Sequence, residues 1–224
     1  MYKNQFSKLN KNYNSHLYTG LLGYLFKKNH SLMEKNLNQF ANKKNIILEI
    51  GGGTHPHINY VKHSFNEYYS VDIDENNELF EFYKMNYPNI KYQKFDGQHL
   101  PYKDNFFNRL IISHCLEHIN YPEKFLNEMI RVCKINGIIS IALPTDPGIA
   151  WRLGRFFIKK IIQKKTHKLS DIDYDYVNAI EHVNSIFNLR TILKKKFKIV
   201  SELYYPFNLK IVDINLFYIV NITK

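Results

Sequence analysis

The stretch Ile47-Leu48-Glu49-Ile50-Gly51-Gly52-Gly53-Thr54-His55 runs a short β-rich apolar segment directly into three glycines. Glycine at such a turn lets the backbone approach a ligand closely, and the segment that follows presents free N–H groups. Phosphate-bearing dinucleotides use the same device, so the neighbouring residues decide between ligands. Glu49 puts negative charge where a pyrophosphate would lie. Asp72 closes the next β-rich run about twenty residues on, where a carboxylate can accept hydrogen bonds from both ribose hydroxyls. Asp96, followed by Gly97, closes a third run and can accept from an exocyclic amine such as that of adenine. Acids at three strand ends suit a phosphate-free, cationic adenosyl ligand better than a dinucleotide.

These residues need a scaffold, and the hydrophobic pattern supplies one. Strands are expected at 46–50, 68–71, 90–95, 109–113 and 138–143, with helices at 75–85 and at about 122–133, the latter with Pro122 in its first turn. Alternating strands and helices imply a parallel sheet covered on both faces. Ser185 reads as the N-cap of a helix to about residue 196, and 197–204 and 211–221 as two strands. Their short connection containing Pro206 permits an antiparallel pair. The expected fold is α/β and Rossmann-like, a mostly parallel seven-stranded sheet with a terminal antiparallel strand. One domain is expected over 1–224: a helical cap (1–42), a cofactor-binding core (45–143), an acceptor-recognition insertion (144–184), then a terminal helix and antiparallel hairpin (185–224). In the cap, spaced apolar residues suggest two short amphipathic helices broken near 27–31.

The segments LEIGGGT (48–54), SVDID (70–74), FDGQHLPYKDNFFNRLIISHCLEHI (95–119) and PEKFLNEMIRVCKINGIISIALP (122–144) resemble the class I S-adenosylmethionine-dependent methyltransferases of the broad type 11, small-molecule kind. The resemblance covers nearly half the chain and implies S-adenosyl-L-methionine as cofactor. By that similarity Glu49, Gly51, Gly52 and Gly53 would lie at the amino-acid end of the cofactor. Asp72 would hold the ribose and Ile73 pack on adenine. Asp96 and Gly97 would read the adenine edge, and Ser113 would sit under the methionine portion. One departure is His55, where the family's last glycine usually stands.

Methyl transfer needs alignment of acceptor and methyl, and for a hydroxyl acceptor a general base. The candidates are His114, Glu117 and His118 in His114-Cys115-Leu116-Glu117-His118, which resembles the E-x-x-E-H segment of some N-methyltransferases and cyclopropane-fatty-acid synthases with His114 replacing the first acid. The alternative is that Glu-His is structural here. His182 in Glu181-His182-Val183, Trp151 and Tyr174 are candidate acceptor contacts. A cation site at Asp171, Asp173 and Asp175 lacks the glycine and distal glutamate of a calcium loop, and no metal is expected. His55 and His57 read as surface loop residues.

A formal net charge of +11 favours polyanions. From 151 to 168 there are seven Lys or Arg and no acid. On a helix, Arg152, Arg155 and Lys159 form a cationic stripe beside an apolar face of Leu153, Phe156, Phe157 and Ile161. Three readings stay open: the apolar face packs on the sheet; residues 151–165 lie on an anionic membrane surface; or the cations meet a phosphorylated acceptor. An RNA methyltransferase would explain the charge too, yet no N-P-P-Y-type motif follows the fourth strand and no RNA-binding module is visible, so no nucleic-acid partner is expected. A non-catalytic binding module would not need Glu49, Asp72 and Asp96 all intact. Cys115 and Cys133, read at a strand end and on a helix, have no metal spacing and read as reduced thiols of a cytoplasmic protein. The first twenty residues lack a signal peptide's apolar stretch, and no window reaches the ~20 apolar residues of a membrane span. Expected is a cytoplasmic enzyme, at most peripheral at a membrane's inner face, moving a methyl group to O or N of a small-molecule, glycan or lipid-linked acceptor.

Overall fold

A computed structural model describes residues 20–37, 40, 44–73, 77–95, 97–166, 175–176 and 179–224. Asp96, Asp171, Asp173 and Tyr174 lie outside the described residues.

Helix α1 (Gly20–Met33) precedes β1 (Asn45–Ile50) and β2 (Phe65–Asp72). Then follow α2 (Glu78–Asn86), β3 (Ile90–Lys94), β4 (Phe107–Ser113), α3 (Pro122–Val132) and β5 (Cys133–Pro144). After α4 (Ile149–Thr166) and α5 (Ile186–Lys196) come β6 (Lys198–Tyr205) and β7 (Phe217–Thr223). The seven strands form one sheet in the order β3-β2-β1-β4-β5-β7-β6. Pairs among β1 to β5 are parallel, and β7 pairs antiparallel with both β5 and β6.

Side chains alternate across a strand, and that period assigns the helices to faces. Leu48, Ile50, Leu110, Ile112, Ile139, Ile141, Val220 and Ile222 share one core with Phe125, Leu126 and Met129 of α3 and Leu189 and Leu193 of α5. Ile47, Ile111, Ala142 and Ile219, the residues in between, share the opposite core with Leu32 and Met33 of α1 and Tyr83 of α2. The Ser185 hydroxyl accepts from the N–H of Asn188 and starts α5.

Four local expectations are corrected. Helix α1 runs unbroken through 27–31, because nothing there breaks a helix and its buried residues, Phe26, Asn29, His30, Leu32 and Met33, keep one face against the sheet. Cys133 is the first residue of β5 rather than the end of a helix. β7 starts at Phe217, not 211; residues 206–216 form a long loop held by the Asn215 amide, which donates to the carbonyls of Leu209 and Ile211. His57 is fully buried rather than at the surface.

Candidate active site

The strand order reverses direction between β1 and β4, and the carboxyl ends of parallel strands at such a point open a crevice. Both sequence-derived constellations sit on its rim.

On the β1 side the glycine turn is shaped by backbone. Gly51 has φ +73°, and a Cβ there would lie 2.7 Å from Cys115 Sγ. Gly53 has φ +51° and open space where a Cβ would project. Asp72 accepts from the N–H of Gly53 (2.9 Å) and of Ile73 (2.7 Å), tying the turn to the end of β2. Ile73 is largely exposed, and a Cβ on Gly97 would come within 3.5 Å of Ile73 Cδ1. An open glycine cradle, a carboxylate and an unpaired apolar platform fit an adenosyl ligand. Glu49, at the end of β1, has both carboxylate oxygens engaged, one by the His57 N–H and one by the Tyr68 hydroxyl, each at 2.7 Å. Burial pushes its carboxyl up to about 7. Its position is behind the turn, which it holds.

On the β4 side the chain adopts a left-handed conformation at His114 (φ +51°) before a short 3-10 turn, Leu116–His118. A non-glycine residue there is uncommon, and such strain often accompanies function. His114 packs edge-on against Phe26 and Phe217. Burial, with the His118 and His182 rings nearby, lowers it to about 3. The Asn29 amide nitrogen lies 3.3 Å from both Ser113 Oγ and His114 Nε2. Glu117 is buried, with Oε1 3.8 Å from His114 Nδ1 and 3.8 Å from His118 Nε2, beyond hydrogen-bond length. Its Oε2 has no partner among the described residues, and burial pushes the carboxyl up to about 7.

Two histidines next to Glu117 have fixed ring orientations. His118 Nδ1 meets the Glu181 carbonyl at 2.8 Å, which makes Nδ1 the protonated nitrogen and leaves Nε2 a free lone pair. His182 Nδ1 meets Asp146 Oδ2 at 2.8 Å, and the two rings stand edge to face 5.0 Å apart. Burial would raise the Asp146 carboxyl, but the His182 hydrogen bond and the Arg155 charge hold it below its usual range. A cavity of about 380 Å³ opens here, lined by Asp146, Arg155, Asp175, His182 and Ser185 among others. Trp151 lies 6.1 Å from the Phe217 ring, and its indole nitrogen is buried without a partner among the described residues.

Sequence reasoning therefore brought Ser113, His114, Glu117, His118, His182 and Trp151 to one end of the sheet. It missed Asp146 and Asn29. Asp146 lies two residues past β5, and an acid just past a strand's carboxyl end was the signal available. Asn29 carried no signal, since its partners are 84 and 85 residues away. The cationic stripe on α4 is also corrected: Arg155 turns to Asp146 and Lys159 to Asp175, leaving Arg152 outward.

Residues 48–141 match the family model described as "Methyltransferase domain", of type 11. That match and this fold make residues 48–141 similar to the type 11 methyltransferase domain, on the Rossmann-like fold of the class I S-adenosylmethionine-dependent methyltransferases. An uncharacterized protein of Methanocaldococcus jannaschii is 31% identical over 68% of this chain and 66% of its own length. The demethylmenaquinone methyltransferase of Renibacterium salmoninarum is 35% identical over 34% of this chain and 32% of its own. The chain thus covers less than two thirds of either curated relative. Among solved structures, a SAM-dependent methyltransferase from Aquifex aeolicus superposes with TM-score 0.53 at 18% identity, over 85% of this chain and 88% of that one. S-adenosyl-L-methionine is accordingly the expected cofactor.

Proposed function

We propose that the protein transfers the methyl group of S-adenosylmethionine to an oxygen or nitrogen of a small-molecule acceptor, with glycan and lipid-linked molecules in the same class. When bound, the cofactor supplies a methyl group already activated by sulfonium. The chain's task is to place an acceptor in line and take its proton. Asp72 would exchange its bonds to the turn for ribose hydroxyls. Ile73 and Gly97 would flank the adenine, with Asp96 at its edge, while Ser113 and the Gly51–Gly53 backbone would border the methionine portion. Glu49 holds that turn from behind.

The observation that carries the reading is His118. Its Nδ1 is committed to the Glu181 carbonyl, its Nε2 is free, and it stands beside the under-paired carboxyl of Glu117 and the His182–Asp146 pair. His118 is the proton acceptor in this reading, and Glu117 stabilises the imidazolium that forms. His182 and Trp151 border the acceptor, and Tyr174 belongs to the same segment of chain. His114, kept neutral between two phenylalanine rings, borders the crevice beside Glu117 instead of accepting the proton.

Calorimetric titration tests the cofactor half. Wild-type protein is expected to bind S-adenosylmethionine, and Asp72→Ala to bind it about 1–3 kcal/mol more weakly, the scale of a lost pair of charge-assisted hydrogen bonds. Equal affinity in the variant would refute the Asp72 role.

A further inference from the structure

Several apolar residues of α4 face outward instead of packing on the sheet. Leu153 is 54% exposed, Phe156 50% and Phe157 61%. Ile149, one turn earlier, is exposed too. Positions 149, 153, 156, 157 and 160 fall on one side of a helix with 3.6 residues per turn, and Arg152 borders them. Lys160 lies 4.2 Å over the Phe156 ring, so a cation is seated directly on the apolar stripe. The loop 206–216 extends this face. Its Asp213 carboxylate and carbonyl accept from the N–H groups of Ile149 and Ala150, joining the loop to the first turn of α4. That loop exposes Phe207, Leu209, Ile211 and Ile214. Single exposed apolar side chains are ordinary, but eight on two hydrogen-bonded elements form a surface that asks for a partner.

Charge identifies the partner. Among the acids around it, Asp175 pairs with Lys159, Asp146 with Arg155 and His182, and Glu202 with Lys210 and Lys194, while the Asp213 carboxylate is turned to the Ile149 N–H at the start of α4. What α4 turns outward is therefore cationic and apolar, with aromatic rings among the exposed residues, the composition of a helix that lies in a lipid interface. No helix among the described residues is long and apolar enough to cross a membrane. The cavity lined by Arg155 and His182 lies beside this same helix.

We infer that α4 and the 206–216 loop dock the protein on an anionic lipid surface, with Phe156 and Phe157 entering the headgroup boundary and Arg152 and Lys160 meeting the headgroups. Resting on the methyltransferase reading, this makes the acceptor an amphiphile reached from the membrane.

Co-sedimentation of the full chain with vesicles tests it, comparing equal parts phosphatidylglycerol and phosphatidylcholine with phosphatidylcholine alone. Binding to the anionic vesicles is expected, with little to the neutral ones. The double variant Phe156→Ser/Phe157→Ser should bind roughly a hundredfold more weakly, the scale of removing two buried aromatics, while keeping its affinity for S-adenosylmethionine. Arg152→Gln/Lys160→Gln should lose the preference for anionic lipid. No vesicle binding by the wild type at low salt overturns the inference. So does binding unaffected by the phenylalanine changes, which is adsorption by charge alone. Dimerisation that those changes abolish, without vesicle binding, assigns the face to a second copy. Because S-adenosylmethionine affinity is read separately, failure here is distinguishable from failure of the methyltransferase reading.

Discussion

Glu34 and Glu117 are both buried glutamates beside histidines, yet the fold treats them in opposite ways. Glu34, just past α1, accepts from His57 Nε2 at 2.7 Å and from the Lys62 N–H at 3.0 Å, and pairs with Arg109 at 2.7 Å. Arg109 is itself buried and also reaches Ser140, His63 and the Met33 carbonyl. His57 completes the chain with His30 at 2.8 Å. Burial would raise the Glu34 carboxyl, but the hydrogen bond from His57 and the Arg109 charge bring it down to about 2. Glu117 has burial without such partners and moves the other way, to about 7. The first region is a closed network that fastens the N-terminal helix to the sheet. The second is left electrostatically incomplete at the mouth of a crevice, which is where a ligand or a transferred proton can complete it.

The largest effect should come from opening the closed network. Glu34→Ala strands the Arg109 guanidinium in the interior and is expected to lower unfolding free energy by about 3–5 kcal/mol in denaturant titrations. Glu34 is lowered from 4.5 to about 2, so its contribution is fully present above 4.5 and is lost as pH falls toward 2. The variant should lack that acid-side slope. A loss no bigger than the ~1 kcal/mol of a surface pair would erase the contrast with Glu117.

Next in size is the join between the two rims. Gly51→Ala must adopt a positive φ and push against Cys115 Sγ, and about 1–3 kcal/mol of destabilisation is expected, together with weakened S-adenosylmethionine binding. Unchanged cofactor affinity would separate the glycine turn from the β4 segment.

Glu117→Gln should have the smallest effect on stability. Because the Glu117 carboxyl is raised from 4.5 to about 7, charging it burdens the folded state progressively as pH rises through that interval. At about pH 5 the variant should match the wild type within ~1 kcal/mol, and above pH 7 it should be at least as stable. A variant that weakens above neutrality would mean Glu117 is stabilising and structural.

How much of this was legible follows from how local each signal was. The sheet was, because β1, β4 and β5 are nearly continuous apolar runs and Pro122 marks a helix start. The glycine turn, Asp72 and the His114–His118 segment were, because their spacing within the chain is itself the pattern. The closed network was not: Glu34, His57 and Arg109 are separated by 23 and 52 positions, and only tertiary packing brings them together. That is why His57 looked like a loop residue. Residues 211–216 read as strand for a similar reason: Ile211, Val212 and Ile214 resemble a buried run, whereas Ile211 and Ile214 face outward here.

The most direct test follows methyl label from S-adenosylmethionine into fractionated cell extract, with wild type and His118→Ala run side by side and cofactor affinity measured on both. Expected is transfer into the lipid or small-molecule fraction by the wild type, and a fall of about a hundredfold in the variant with cofactor binding intact. Undiminished transfer by His118→Ala, or a wild type that binds no S-adenosylmethionine, would contradict the division of the crevice into a backbone-built cofactor side and a histidine-built acceptor side.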